Sequence, residues 1–182
     1  RPDQPETRES DMTNPTLTIR PATGEDLAEV DALLAASYPV LLKPDYPPSV
    51  LVTALPLIAR ANPRLMASGS YFLVSDETGL VGAGGWTWAA PHGGVCPRDM
   101  GHVRHVVTDH RQTRRGIGSA LLECVVNDAR GAGVHTLDCL STLTAVPFYT
   151  ACGFSSIGPI EVTLRPGIGF PAVRMQQRLT DH

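Results

Sequence analysis

No stretch of this 182-residue sequence approaches the roughly 18 consecutive apolar residues that a membrane-spanning helix requires. No leader-like segment is visible either, so the expectation is a cytoplasmic protein with no membrane partner. An excess of basic residues is also missing. A net charge of -3 is the wrong balance for the broad positive footprint of a duplex binder, and no nucleic-acid partner is expected. The four cysteines, Cys96, Cys124, Cys139 and Cys152, form no Cys-x-x-Cys pair. That spacing excludes a disulfide framework and suits reduced thiols in a cytoplasm. His92, Cys96, Asp99, His102 and His105 crowd one region at spacings of no standard zinc site, so no metal is expected. No internal repeat is visible.

What is present is the material of one soluble core. Hydrophobic residues make up 42% and charged residues 18%, a globular balance at a length suited to a single domain. Residues 1–16, rich in Pro, Asp and Glu, can bury little and read as a disordered or non-native tail, with Met12 a candidate original start. The domain is expected over residues 17–182.

Order begins with a short strand, Leu17 to Pro21. Thr23 to Asp26 offers a capping-box start, and Leu27, Val30, Leu34 and Ser37 follow at helical spacing, with Pro39 expected to end the helix. A second helix is expected from Val50 to Ala61. Tyr71 to Ser75 and Leu80 to Trp88 flank a turn and read as a hairpin. Gly82, Gly84 and Gly85 within it suggest a bulge or a close backbone approach. A strand is expected from His102 to Thr108, a helix through Leu121, Leu122, Val125, Val126 and Ala129 to a stop at Gly131, and a strand from His135 to Ser141. A short helix, Thr144 to Cys152, precedes two strands near 156–164 and 171–179. This order implies an α/β (α+β) fold, a mixed sheet with helices on both faces. The terminal hairpin is a candidate surface for a homodimer.

The segment 111–122, RQTRRGIGSALL, holds the densest positive charge in this acidic chain, directly before a glycine turn and a helix. The first amides of a helix have no intrahelical partner, and the helix dipole favours an anion there. Gly116 and Gly118 lack a β-carbon, so an anion can approach the main chain. Arg114 and Arg115 add forked donors. A phosphate-bearing ligand fits. Two nucleotide readings fail: no GxxxxGK[ST] string occurs, and the sixth position of a dinucleotide fingerprint is Leu121, with a charged bend between strand and helix.

Thr113 to Gly118 resembles the Q/R-x-x-G-x-G/A acyl-coenzyme A motif of the GNAT N-acetyltransferase superfamily. Pro147 to Phe154, PFYTACGF, resembles the FYxxxGF segment that follows it there. The likeness runs over nearly all of residues 17–179. It implies a mixed, mostly antiparallel central sheet and acetyl-CoA as co-substrate. It also implies that main-chain amides across Arg114, Arg115, Gly116, Ile117, Gly118 and Ser119 hold the pyrophosphate. Val106, Val107 and Thr108 would hold the pantetheine arm as an added pseudo-strand. Two positions depart from the pattern. Thr113 stands where the family has Gln or Arg, with Arg111 and Gln112 beside it, and Thr142 stands where an Asn often contacts the cofactor.

Acetyl transfer to an amine needs a base, because an amine of pKa near 10 is neutral only about once in a thousand molecules at pH 7. A departing thiolate needs a proton. By position, the resemblance gives Tyr149 the acid's role. In a regular strand the side chains at 102, 104, 106 and 108 share one face, which the resemblance implies faces the acceptor. His102 is then the candidate base, alongside ordered water, and Arg104 a candidate substrate contact. His105 would face away and pack. For Trp86 core packing is the default reading, and lining of the acceptor pocket is the alternative. The resemblance therefore implies acetyl transfer to a primary amine. A second reading is an acyl-CoA sensor that binds without turnover.

Overall fold

The computed structural model describes residues 16–112 and 116–179. Thus all but the last residue of the expected tail lies outside the described residues. In chain order the elements are β1 (Thr18–Pro21), α1 (Leu27–Leu42), α2 (Pro48–Ile58), α3 (Pro63–Met66), β2 (Tyr71–Asp76), β3 (Gly79–Thr87) and β4 (Met100–Thr108). They continue with α4 (Ile117–Gly131), β5 (Thr136–Thr142), α5 (Val146–Ala151), β6 (Ser155–Arg165) and β7 (Ile168–Arg178).

The expected start of α1 is present. The Thr23 N–H donates to Asp26 Oδ2 at 2.8 Å, and Arg20 forks onto the same carboxylate at 2.9 and 2.7 Å, tying β1 to the helix. Pro39 does not end α1, which runs on to Leu42. The proline removes one bond, to the Ala35 carbonyl, but Ala35 lies on the exposed side, where water can replace the missing donor. Val30, Leu34, Tyr38 and Leu42 meanwhile stay buried on a continuous stripe. That burial outweighs the lost bond.

The described strands form one sheet in the order β1-β2-β3-β4-β5-β7-β6. Every neighbouring pair is antiparallel except β4 and β5, which are parallel. Two cores cover it. On one face Val30, Leu34, Tyr38 and Leu42 of α1 pack with Leu51 and Ala54 of α2 against Tyr71, Leu73, Ala83 and Val107. On the other, Ile117, Leu121, Leu122 and Val125 of α4 pack with Tyr149 and Phe154 against Val74, Val81, Trp86, Val103 and Leu137. Each buried Leu or Val contributes about 1.5–3 kcal/mol. These are called the α1 face and the α4 face below.

The glycine run of β3 proves to be both a bulge and a close approach. The β3–β4 register shifts between Ala83 and Gly85. A β-carbon on Gly85 would lie 2.6 Å from the Tyr71 Cα and closer still to the Ser70 carbonyl oxygen. Opposite this shift, His105 of β4 has φ 44, a left-handed conformation that non-glycine residues seldom adopt.

Candidate functional site

β4 and β5 pair over only three positions, Met100 with Thr136, Gly101 with Leu137 and His102 with Asp138. β5 then continues on its other side with β7 for its whole length, Thr136 to Thr142. From Val103 onward β4 is paired with β3 alone. The two parallel strands therefore split, and one edge of β4 is left without a strand partner over Val103–Thr108. An extended chain is what such an edge accepts.

His102 and Asp138 are the last pair before the split. Leu137 and Cys139 flank Asp138 in the α4-face core, so Asp138 and its partner His102 lie on the α1 face. Both are buried, with His102 Nδ1 3.6 Å from Asp138 Oδ2. Asp138 Oδ1 accepts from Arg174 Nε at 2.8 Å and Gln176 Nε2 at 3.0 Å. Burial raises the Asp138 pKa, but His102, Gln176 and Arg174 outweigh it and hold the carboxyl below its ordinary value. A carboxylate only accepts, so the imidazole nitrogen that faces it carries the hydrogen. His102 Nε2 is then the lone-pair nitrogen, and it is buried with no partner.

Tyr149 stands on the other side of the sheet, buried in the α4-face core. Phe148 and Phe154 flank its ring, with centroids 5.2 and 5.4 Å away. Its hydroxyl pairs with the thiol of Cys139, the residue next to Asp138. Burial pushes the Tyr149 pKa well up and that of Cys139 up to about 12. Both protons stay on at neutral pH.

The expected face of β4 needs correction. Val103 and Val106 both contact the α4 side: Val103 is in that core, and the Val106 Cγ2 and Leu121 Cδ2 crowd the same side of Gly84. Val107 is in the α1-face core. The bulge at His105 adds a residue and reverses the alternation, so Val106 and Thr108 do not share a face with His102 and Arg104. His105 is partly buried, in keeping with the expected packed residue. Its carbonyl accepts the Tyr71 hydroxyl at 2.8 Å. Burial, then the Arg104 charge, push its imidazole pKa down to about 4.

Arg104 stays on the α1 face. Its Nη1 donates to Thr87 Oγ1 at 3.0 Å, and its Nε is buried without a partner. Trp86 lies on the opposite face: its indole donates to Asp128 of α4 at 2.8 Å within the α4-face core. It is core, on the face opposite His102.

At the anion cradle, Arg114 and Arg115 lie outside the described residues. Gly116 has φ 74 and open space beside its α-carbon, and α4 starts at Ile117. The Ala120 N–H returns to the Gly116 carbonyl at 3.0 Å; by helix geometry the amides of Ile117, Gly118 and Ser119 precede the intrahelical ladder. The two glycines have different tasks. Gly118 permits contact with α5, since a β-carbon there would meet Phe148 Cε2 at 2.9 Å. Arg111 is spent on the buried Asp109, at 3.1 Å through Nε and 2.9 Å through Nη2.

The remaining sequence candidates are also placed. The Val106 carbonyl accepts the Tyr38 hydroxyl at 3.2 Å, Val107 is buried, and Thr108 lies beside Gly118. Thr142 Oγ1 accepts the Ala145 N–H at 3.2 Å, capping the turn into α5. Ser119 opens a groove of about 270 Å³ that runs along α4 to Arg130, with Cys152 and Gln177 also lining it. A groove of about 490 Å³ between α1 and α2, lined by Asp31, Pro39, Pro56 and Arg60 among others, carries none of these residues. Sequence reasoning missed Asp138, Arg174, Gln176 and Tyr38. An acid inside the apolar run Leu137-Asp-Cys-Leu140 was the available signal.

A family model described as an acetyltransferase (GNAT) domain matches residues 51–179, while no curated protein matches the sequence. Among solved structures, a GCN5-related N-acetyltransferase from Rhodopseudomonas palustris is similar with a TM-score of 0.70. It is 21% identical, and the match covers 92% of this chain and 98% of that one. The PaiA N-acetyltransferase from Thermoplasma acidophilum, in complex with coenzyme A, gives 0.66 at 12% identity over 90% and 99% of the two chains. N-acetylglutamate synthase from Neisseria gonorrhoeae, complexed with coenzyme A and N-acetyl-glutamate, gives 0.60 at 18% identity. That match covers 91% of this chain and 36% of the synthase. At such identities the likeness establishes the fold.

Proposed function

This chain belongs to the GNAT acetyltransferase family, and from that premise we propose that it transfers the acetyl group of acetyl-CoA to a primary amine by direct attack. One observation carries the reading. His102 and Tyr149 stand on opposite faces of the sheet at the place where β4 and β5 part.

The residues present fit acetyl-CoA. The amides of Ile117, Gly118 and Ser119, with Arg114 and Arg115 just before them in sequence, suit a pyrophosphate. The bare edge of β4 at Val106 and Thr108 suits an extended amide-bearing arm, with buried Val107 as backing, and Thr142 lies at the end of the facing strand. Acetyl-CoA supplies the activated acyl group, a thioester.

His102 receives the proton of the incoming amine on Nε2. Asp138 faces the other nitrogen and accepts its hydrogen, which fixes the orientation of the ring. A base so placed contributes about 10²–10⁴-fold. An edge amide of β4 donates to the thioester oxygen as charge develops, worth about 3 kcal/mol per well-aimed donor. Tyr149 donates its hydroxyl hydrogen toward the leaving sulfur. With its pKa held above the thiol range, it stabilises the thiolate chiefly as a hydrogen-bond donor before any full transfer. Location in the cytoplasm, a single domain over residues 17–182 and a dimer through β6 and β7 belong to the same proposal.

The test is thiol release from acetyl-CoA against a panel of amines, beside calorimetry of acetyl-CoA binding. Amine-dependent release supports the transferase. Binding without amine-dependent release would leave a sensor, and absent binding by a folded chain would remove both.

A further inference from the structure

Two of the buried polar atoms without a partner, His102 Nε2 and Arg104 Nε, belong to one face of one strand. Their residues are two apart on β4, roughly 7 Å between α-carbons. Buried polar groups are nearly always satisfied, so two adjacent exceptions point to a ligand that satisfies both. Their chemistry differs. His102 Nε2 offers a lone pair, and Arg104 Nε offers a hydrogen and a positive charge.

The arginine is the more telling. Arg20, Arg111 and Arg174 each have a carboxylate, Asp26, Asp109 and Asp138 in turn, whereas Arg130, at the end of α4 and far from His102 in sequence, has the neutral Asn127 oxygen. Arg104 is half-buried and, among the described residues, has only a neutral hydroxyl on Nη1. Burial lowers its pKa, and among the described residues no carboxylate forms an ion pair with it. Thr87 takes the Nη1 side of the guanidinium. The opposite edge, Nε with Nη2, is the edge that Arg111 lays side-on against both oxygens of Asp109. A planar two-oxygen anion fits that edge in the same manner.

We propose that the acceptor is an amino acid: an amine that hands its proton to His102 Nε2, with a carboxylate a few bonds away held by Arg104. The inference rests on the transferase reading above. The amine nitrogen forms the new bond to the acetyl carbon as the carbon–sulfur bond breaks. Its proton passes to His102, and the sulfur leaves as the thiolate of coenzyme A. The carboxylate takes no part in bond changes and serves only to orient the amine.

The experiment measures thiol release by the full chain with acetyl-CoA and matched acceptors. Each L-amino acid is compared with its carboxamide, its decarboxylated amine and its aminophosphonate analogue. The expected result is that at least one amino acid exceeds its amide and its plain amine by a hundredfold or more in kcat/KM. Arg104→Gln should raise KM for that amino acid about a hundredfold and shrink its advantage over the amide to under tenfold. Arg104→Lys should restore part of the loss. Amides or plain amines used as well as amino acids overturn the inference while the transferase stands, and a preference for the phosphonate overturns the choice of carboxylate. Because the wild-type comparison needs no variant, a misfolded Arg104→Gln chain leaves the inference open to refutation. No release with any acceptor, despite bound acetyl-CoA, sinks the transferase reading itself.

Discussion

The two halves of β4 differ in what holds them. Met100 to His102 pair with β5, and His102, opposite Thr87 of β3 as well, is paired on both sides. Val103 to Thr108 keep β3 alone, and within that half His105 takes a left-handed conformation and reverses the alternation of side chains. The first half is ordinary sheet. The second combines an open edge, a bulge, a half-buried arginine without a carboxylate and a depressed histidine pKa. The contrast places the proposed base on the last residue paired on both sides, with the open edge beginning directly after it.

The comparison can be broken most severely at its boundary. His102→Gln should lower turnover about 10²–10⁴-fold with acetyl-CoA affinity nearly unchanged, read from initial rates and calorimetry. A loss under threefold would hand the base's role to water. Next in size is the support beneath the open half. Gly85→Ala places a methyl against the Ser70 and Tyr71 backbone, and should cost about 3 kcal/mol, at the upper end of ordinary overpacking. A denaturant midpoint equal to wild type would show that β2 yields freely there.

A smaller effect is expected across the split. Tyr149→Phe keeps the ring and removes the hydroxyl, so turnover should fall about ten- to a hundredfold with unchanged cofactor binding. Equal turnover would leave Tyr149 a packing residue. The bulge gives the mildest test. His105 has a folded pKa of about 4, below the ordinary 6.5 of an unfolded histidine. The unfolded chain therefore binds the proton first as pH falls. Stability is full above pH 6.5, declines below it and is lost through pH 4, by about 2 kcal/mol between pH 7 and pH 5. Asp138 and Asp109 have lowered pKa values and titrate beneath this window. His105→Asn, whose side chain tolerates φ above zero, should flatten the slope. A variant as pH-sensitive as wild type would exclude His105 as its source.

Much of this was legible locally. The apolar spacing of Ile117 to Ala129 gave α4, glycines and prolines punctuated the strands, and the crowded glycines of β3 announced a close approach. Pro39 misled because a single missing hydrogen bond on an exposed side is weaker than a buried stripe. The face of β4 could not be read, since the bulge is set by register with β3 and leaves no glycine at His105 to mark it. Asp138 was visible as an acid among apolar residues, yet its partners on β7 lie 36 and 38 positions away. Only the fold brings them together.

The three-position pairing of β4 with β5 has a mechanical consequence. It makes the sheet two slabs, β1 to β4 and β5 to β7, sewn along a short seam. Whatever lies along the bare edge bridges them and shares the strain, so a tightly bound substrate doubles as a brace. Occupancy at a hundred times its dissociation constant would add about 2.7 kcal/mol to the resistance of the whole chain to heat.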